Sequence, residues 1–236
     1  DITVESEIPL GAGLGSSAAV VVAGIDAATR ALGEPLDRRE IADRAYRAEY
    51  EVQDGQASRA DTFCSAMGGA VRVEGDDCTT LSTPTLPFVV GFDGGAGDTG
   101  KLVADVRALR DRYDFAADTV AAIGDIVSTG EELLREADPN ADPSDALIEE
   151  LGDLMNINHG LLSALGVSSR SLDTMVWAAR EAGAEGAKLT GAGGGGCIVA
   201  LDRTDETRTS LRYTPGCEDS FRAELATEGV RVEEDD

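Results

Sequence analysis

The stretch Pro9-Leu10-Gly11-Ala12-Gly13-Leu14-Gly15-Ser16-Ser17-Ala18-Ala19 sets three glycines at alternate positions directly ahead of two serines. Before it, Ile2-Thr3-Val4-Glu5-Ser6-Glu7-Ile8 is β-branched and partly alternating, which predicts a strand. After it, the apolar, alanine-rich run from Ala18 through Ala31 predicts a helix. A chain that runs strand, glycine loop, helix presents the unpaired N–H groups and positive dipole end of the helix's first turn. Glycines let the loop backbone approach a bound anion with no Cβ in the way. Ser16 and Ser17 can cap the helix and can offer hydroxyls to a phosphate or a metal. The same residues also describe an ordinary N-capped helix after a flexible turn. No lysine precedes the serines, so this is not a Walker A loop. Leu14 stands between the second and third glycines, and Ser16-Ser17 follow, so it is not a dinucleotide fingerprint either.

Two further segments carry chemistry. One is Asp54-Gly55-Gln56-Ala57-Ser58-Arg59-Ala60-Asp61, a glycine turn leading into a short predicted helix. The other is Lys188-Leu189-Thr190-Gly191-Ala192-Gly193-Gly194-Gly195-Gly196-Cys197, with five glycines in six positions between two predicted strands. Each glycine costs folding entropy, so such a run asks for a reason, and close approach to a ligand supplies one.

Pro9 to Ala19 resembles the phosphate-binding motif of the GHMP kinases, the superfamily of galacto-, homoserine, mevalonate and phosphomevalonate kinases, of the form P-x-G-x-G-L-G-S-S-A-A. The other two segments agree with that superfamily in order and spacing. The run from Gln56 to Gly69 and the Lys-Leu-Thr ahead of the last glycines look most like its mevalonate kinase branch. The resemblance implies a two-domain fold of the α/β plus α+β class. An N-terminal domain like domain 2 of ribosomal protein S5, incomplete here, would span 1–85, and a ferredoxin-like C-terminal domain 86–236. It implies transfer of a phosphoryl group from ATP, with Mg2+, to mevalonate, giving 5-phosphomevalonate. Phosphomevalonate or another small alcohol as acceptor, and a non-catalytic nucleotide-binding regulator on the same fold, stay open as alternatives.

By the same resemblance Asp61 is the catalytic aspartate, close to the acceptor. Pro9, Gly11, Gly13, Leu14, Gly15, Ser16, Ser17 and Ala18 hold the nucleotide, joined by Gly191, Gly193 and Gly194, and Ser17 is a metal ligand. A glutamate upstream of the aspartate completes the metal site. The family spacing lands on Tyr50, and one extra residue in Val52-Gln53-Asp54-Gly55 brings Glu49 into register, with Glu51 the alternative. Gly97-Asp98-Thr99 places Thr99 near the acceptor. Lys188 faces either solvent or the phosphates. His159 and the pair Met175 and Trp177 read as structural packing.

The family's N-terminal K-x-x-L-x-G-E-H motif has no counterpart here, and Asp1 falls inside the first predicted strand. The expectation is a chain lacking an N-terminal segment, poorly active by itself, with Ile2–Ile8 an unpaired, aggregation-prone edge.

Charge narrows the partners. The 236 residues hold 45 acidic against 20 basic side chains, a net of −25, with lysine only at 101 and 188. No basic patch exists to neutralise phosphates of nucleic acid. The carboxylates spread over the whole chain, which argues against a disordered acidic tail and resembles proteins of salt-loving archaea. In concentrated salt the Debye length falls to about 3 Å, so self-repulsion is tolerable. Cys64, Cys78, Cys197 and Cys217 share no metal-ligand spacing, and His159 is the sole histidine. Reduced thiols in a cytoplasmic protein are expected, with no membrane span, and a homodimer is left open.

The remaining pattern predicts helices from Ser16 to about Leu32, from Asp37 to about Gln53 and from Ala57 to Met67. Strands follow at 70–74, 78–81 and 88–92. Then come helices at 101–113, 116–136, 145–165 and 171–182, and strands at 187–190 and 197–201. A final helix at 218–227 and a last strand at 230–233 close the chain.

Overall fold

A computed structural model describes residues 3–6, 8, 12–52 and 57–233. The chain divides into two compact units. The first comprises Asp1–Ile8, Gly15–Thr83 and Leu225–Asp236, and the second Pro9–Leu14 and Pro84–Glu224.

In the first unit, α1 (Ser16–Ala31) ends through Leu32, and Gly33 takes the left-handed conformation that closes a helix. Next, α2 (Arg38–Val52) opens on a capping box. Asp37 Oδ1 accepts from the Glu40 N–H at 2.9 Å, and Glu40 Oε2 accepts from the Asp37 N–H at 3.3 Å. Ser58 caps α3 (Arg59–Met67), its Oγ accepting from the Ala60 N–H at 3.1 Å. An antiparallel hairpin follows, β1 (Ala70–Glu74) with β2 (Asp77–Leu81), Ala70 opposite Leu81. Helical spacing puts Ile41, Ala42 and Ala45 on one stripe of α2. They bury against Val22 of α1, Phe63 and Ala66 of α3 and Cys78 of β2. A fully buried residue such as Ile41 contributes about 1.5–3 kcal/mol. The returning tail is tied on by its backbone, Gly69 N–H to Ala226 O at 2.6 Å and Val230 N–H to Ser65 O at 3.1 Å.

In the second unit, β3 (Phe88–Phe92) is followed by α4 (Thr99–Arg112), α5 (Asp114–Glu136), α6 (Asp145–Ala164) and α7 (Arg170–Glu181). Then come β4 (Gly186–Leu189), β5 (Cys197–Leu201), α8 (Glu206–Arg212) and β6 (Asp219–Ala223). The four strands form one antiparallel sheet in the order β4-β5-β3-β6. Strand, helices, two strands, helix, strand in this order is the ferredoxin-like arrangement. Alternate residues Val89, Ala187, Leu189, Ile198 and Ala200 point to one face. They pack against Leu172, Met175, Val176 and Ala179 of α7 and Leu211 of α8.

Four expectations fail. Among the described residues 3–6 and 8 there is no strand: β1 and β2, the strands described in that unit, pair with each other and not with this segment. Residues 219–223 form β6 instead of a helix: β3 pairs along its free edge with Phe221, Arg222 and Ala223, and that ladder overrides local propensity. Residues 230–233 form no strand, and α8 was not foreseen. Trp177 is 62% exposed with the Arg180 guanidinium over its ring, since the buried stripe of α7 runs through Leu172, Met175, Val176 and Ala179 and leaves position 177 beside it. No helix among the described residues is long and apolar enough to cross a membrane.

Candidate active site

The first unit brings Ser17, Glu49 and Asp61 together at the start of α1. Gly15 precedes the helix in the left-handed conformation, φ 71°, which excludes most other residues, and no side chain caps the helix. The expected capping role of the serines is therefore corrected: Ser16 and Ser17 are the first helical residues, not the cap. The first turn of α1 also holds no acidic residue of its own. The Ser17 hydroxyl donates instead to Glu49 Oε1 at 2.6 Å. Glu49 closes the buried stripe of α2 and is only 6% exposed, whereas Tyr50 and Glu51 face solvent. Of the two carboxylates considered, Glu49 is the one in register with Ser17.

Asp61 stands in the first turn of α3, with its carboxyl against Gly15. A Cβ built there would lie 3.7 Å from Asp61 Cγ. Although the residue as a whole is exposed, crowding at its carboxyl raises its pKa, first by desolvation and then by repulsion from Glu49. The unit thus holds a hydroxyl and two carboxylates, oxygen donors only, with one carboxylate strained by the charge of the other. A hard divalent cation fits that donor set.

The second unit holds the rest of the glycine loop and the third motif. Gly13 lies against Gly191 and the carbonyl of Thr190, with a Cβ on Gly191 falling 3.2 Å from Gly13 Cα. A Cβ on Gly196 would fall 2.8 Å from Ala12 O, and one on Gly97 would collide with Gly193 O. Backbone-to-backbone packing of these loops thus accounts for part of the glycine run that sequence reading assigned to a ligand. Thr99 is exposed at the start of α4, behind Asp98, whose Oδ1 accepts from the Lys101 N–H at 3.0 Å. Lys188 donates from Nζ to the Leu189 carbonyl at 2.7 Å, and desolvation lowers its pKa. Sequence reading passed over Asp93, which sits at the C-terminal end of β3 against the third motif. A carboxylate directly before Gly94-Gly95 was the available signal. Pro9 and Gly11, and the Gln53–Gln56 stretch that bears on the extra residue, lie outside the described residues.

His159 is a structural residue. Its Nδ1 accepts from the Leu189 N–H at 3.3 Å, which leaves Nε2 protonated and donating to Asp173 Oδ1 at 3.2 Å. Burial lowers its pKa from 6.5, outweighing the opposing pull of Asp173. The unfolded chain therefore takes up a proton at a higher pH than the folded one. This contribution to stability is full above about pH 6.5 and shrinks as pH falls below it. Melting temperatures from pH 8 to pH 5 should drop less steeply for His159→Asn than for the wild type, the difference cancelling the carboxylates common to both.

Residues 1–69 match the GHMP kinases N terminal domain and residues 144–213 the GHMP kinases C terminal domain. The chain belongs to the GHMP kinases. Within that family it is similar to mevalonate kinases. That of Thermococcus gammatolerans is 43% identical over 99% of this chain and 69% of its own length. That of Methanothermobacter thermautotrophicus is 39% identical over 98% and 73%. Among solved structures, L. major mevalonate kinase in complex with R-mevalonate is 28% identical with a TM-score of 0.72, over 92% of this chain and 67% of that one. Methanococcus jannaschii mevalonate kinase is 27% identical with a TM-score of 0.76, over 92% and 66%.

Proposed function

We propose that this protein transfers the γ-phosphoryl group of ATP to mevalonate, giving 5-phosphomevalonate. The observation that carries the reading is the grouping of Ser17, Glu49 and Asp61 at the uncapped start of α1, in a chain 43% identical to a mevalonate kinase along 99% of its length. The first-turn N–H groups of α1 and the positive end of its dipole bind the phosphates. Gly13, Leu14, Gly15, Ser16 and Ala18 shape that cradle, with Gly191, Gly193 and Gly194 contributing backbone, and Pro9 and Gly11 belong to the same motif. Ser17 and Glu49 hold Mg2+, which supplies charge stabilisation to the phosphate oxygens. Asp61 orients the acceptor hydroxyl and accepts its proton as the new O–P bond forms and the bond to the ADP oxygen breaks. Its raised pKa makes it a stronger base than an ordinary solvated carboxylate. Thr99 is assigned to the acceptor's side. The domains are assigned to 1–85 and 86–236, a division that differs from the two compact units at Pro9–Leu14 and at Leu225–Asp236. Homodimer assembly rests on resemblance alone.

A coupled assay of ADP release with mevalonate, phosphomevalonate, homoserine and galactose tests the assignment. Turnover with mevalonate above the others is expected. Preference for another alcohol would move the protein within the family, and ATP binding without turnover of any of them would make it a regulator.

The same reading places the protein in the cytoplasm of a salt-loving archaeon. Its support is the net charge of −25 with lysine at only two positions. Unscreened repulsion among carboxylates opposes the compact state, so the melting temperature should rise between dilute buffer and molar KCl. A flat or falling salt series would remove this part of the proposal.

A further inference from the structure

We propose that Asp93 is a positioning residue for phosphoryl transfer, fixing the shape of the third glycine motif from behind. The proposal rests on the kinase reading and concerns a residue that no family motif above includes. Asp93 follows Phe92 at the end of β3, and its backbone N–H donates to Gly196 O at 3.0 Å. Its side chain then turns back onto the loops. Oδ1 accepts from the Gly196 N–H at 2.8 Å and from the Gly95 N–H at 2.8 Å. Oδ2 accepts from Ser171 Oγ at 2.5 Å, and Ser171 Oγ in turn meets Ser169 Oγ, the cap of α7, at 2.9 Å.

One carboxylate therefore ties together three pieces of the second unit: the last glycine of the third motif, the 94–97 loop and the start of α7. The geometry matters because glycines have no side chains to anchor them. Gly193, Gly194, Gly195 and Gly196 all have positive φ, a run of conformations that a free chain would exchange readily. Without an anchor, ordering that run would be charged to each nucleotide-binding event. The hydrogen bonds to Asp93 fix the end of the run in advance. Asp93 touches neither reactant in this account; it acts through the backbone of Gly196 and Gly95.

The division of bonds between the two oxygens sets the test. Asp93→Ala removes all three. Asp93→Asn keeps a carbonyl oxygen to accept from both glycines, and its NH2 can donate to a rotated Ser171 hydroxyl. Ser171→Ala deletes only the bond at Oδ2. The full-length protein and these variants are to be compared by steady-state kinetics and by calorimetric titration with a non-hydrolysable ATP analogue.

For Asp93→Ala the expected result is a rise of about tenfold or more in KM for ATP and in Kd for the analogue, with kcat within about threefold and KM for the acceptor unchanged. Asp93→Asn should stay within about threefold of wild type on every parameter, and Ser171→Ala should raise KM for ATP about two- to fivefold. Normal nucleotide affinity in Asp93→Ala, or an Asp93→Asn variant as impaired as the alanine, overturns the proposal. Should Asp93→Ala not fold, an unchanged KM for ATP in Ser171→Ala overturns it instead. Failure of the wild type to bind ATP or turn over any acceptor would sink the kinase reading itself, a result separate from any difference between variants.

Discussion

Asp61→Asn is expected to lower kcat at least about 100-fold while leaving nucleotide affinity near that of the wild type. The carboxylate sits in the first turn of α3, beyond a Ser58 cap and a short helix that fix where it points. Asparagine reproduces its shape and can still accept a hydrogen bond, but it cannot take a proton. A positioned base is typically worth 10²–10⁴ in rate, which sets the size of the loss. The fold makes a second, independent demand on this variant. Desolvation and the neighbouring Glu49 both raise the Asp61 pKa, so its ionised form is less comfortable in the folded protein than in the unfolded one. Removing the charge should leave the melting temperature equal or higher. A catalytic loss with no stability loss separates a functional residue from a scaffolding one. Near-normal kcat would rule out the role given to Asp61. A large drop in melting temperature would mean the carboxylate holds structure instead.

Much of the helical framework was legible in the sequence because its signals are local. Asp37 with Glu40, Gly33 and Gly68 each start or stop an element through bonds to residues a few positions away. What failed depends on residues far along the chain. Asp219 to Ala223 becomes a strand only because β3, more than 100 residues earlier, presents an edge to it. Thr3 to Ser6 has strand-like composition, yet neither β1 nor β2 pairs with it.

The candidate site divides in the same way. Motif spacing pointed to Ser17 and Asp61, and it preferred Glu49 to Glu51 only by allowing one extra residue in Val52-Gln53-Asp54-Gly55. The buried stripe of α2 favours Glu49: Ile41, Ala45 and Glu49 recur at four-residue steps, while Glu51 falls on the wet side. For Asp93 the carboxylate before Gly94-Gly95 was a local hint, but its bond to the amide of Gly196, 103 positions downstream, is one that no side-chain pattern records.

That choice of glutamate yields the sharpest comparison between two residues of one type. Glu49→Ala and Glu51→Ala remove the same group two positions apart on α2. Glu49 is buried and accepts the Ser17 hydroxyl, so its loss should strip a metal ligand and free that hydroxyl to turn elsewhere. Mg2+ keeps most of its waters and takes only one or two protein oxygens, so losing one of them removes much of what the protein contributes to its binding. Glu49→Ala is therefore expected to lower kcat about 10- to 100-fold and to raise the Mg2+ concentration for half-maximal rate about tenfold or more. Added Mg2+ should recover part of the rate. Glu51→Ala, on the exposed side, should change each of these less than about twofold. Magnesium titrations of the initial rate at saturating ATP decide the matter. A Glu51 variant that loses its magnesium response while Glu49→Ala keeps it would reverse the assignment. Equal, magnesium-independent losses in both would remove glutamate from the metal site and leave Ser17 alone to answer for it.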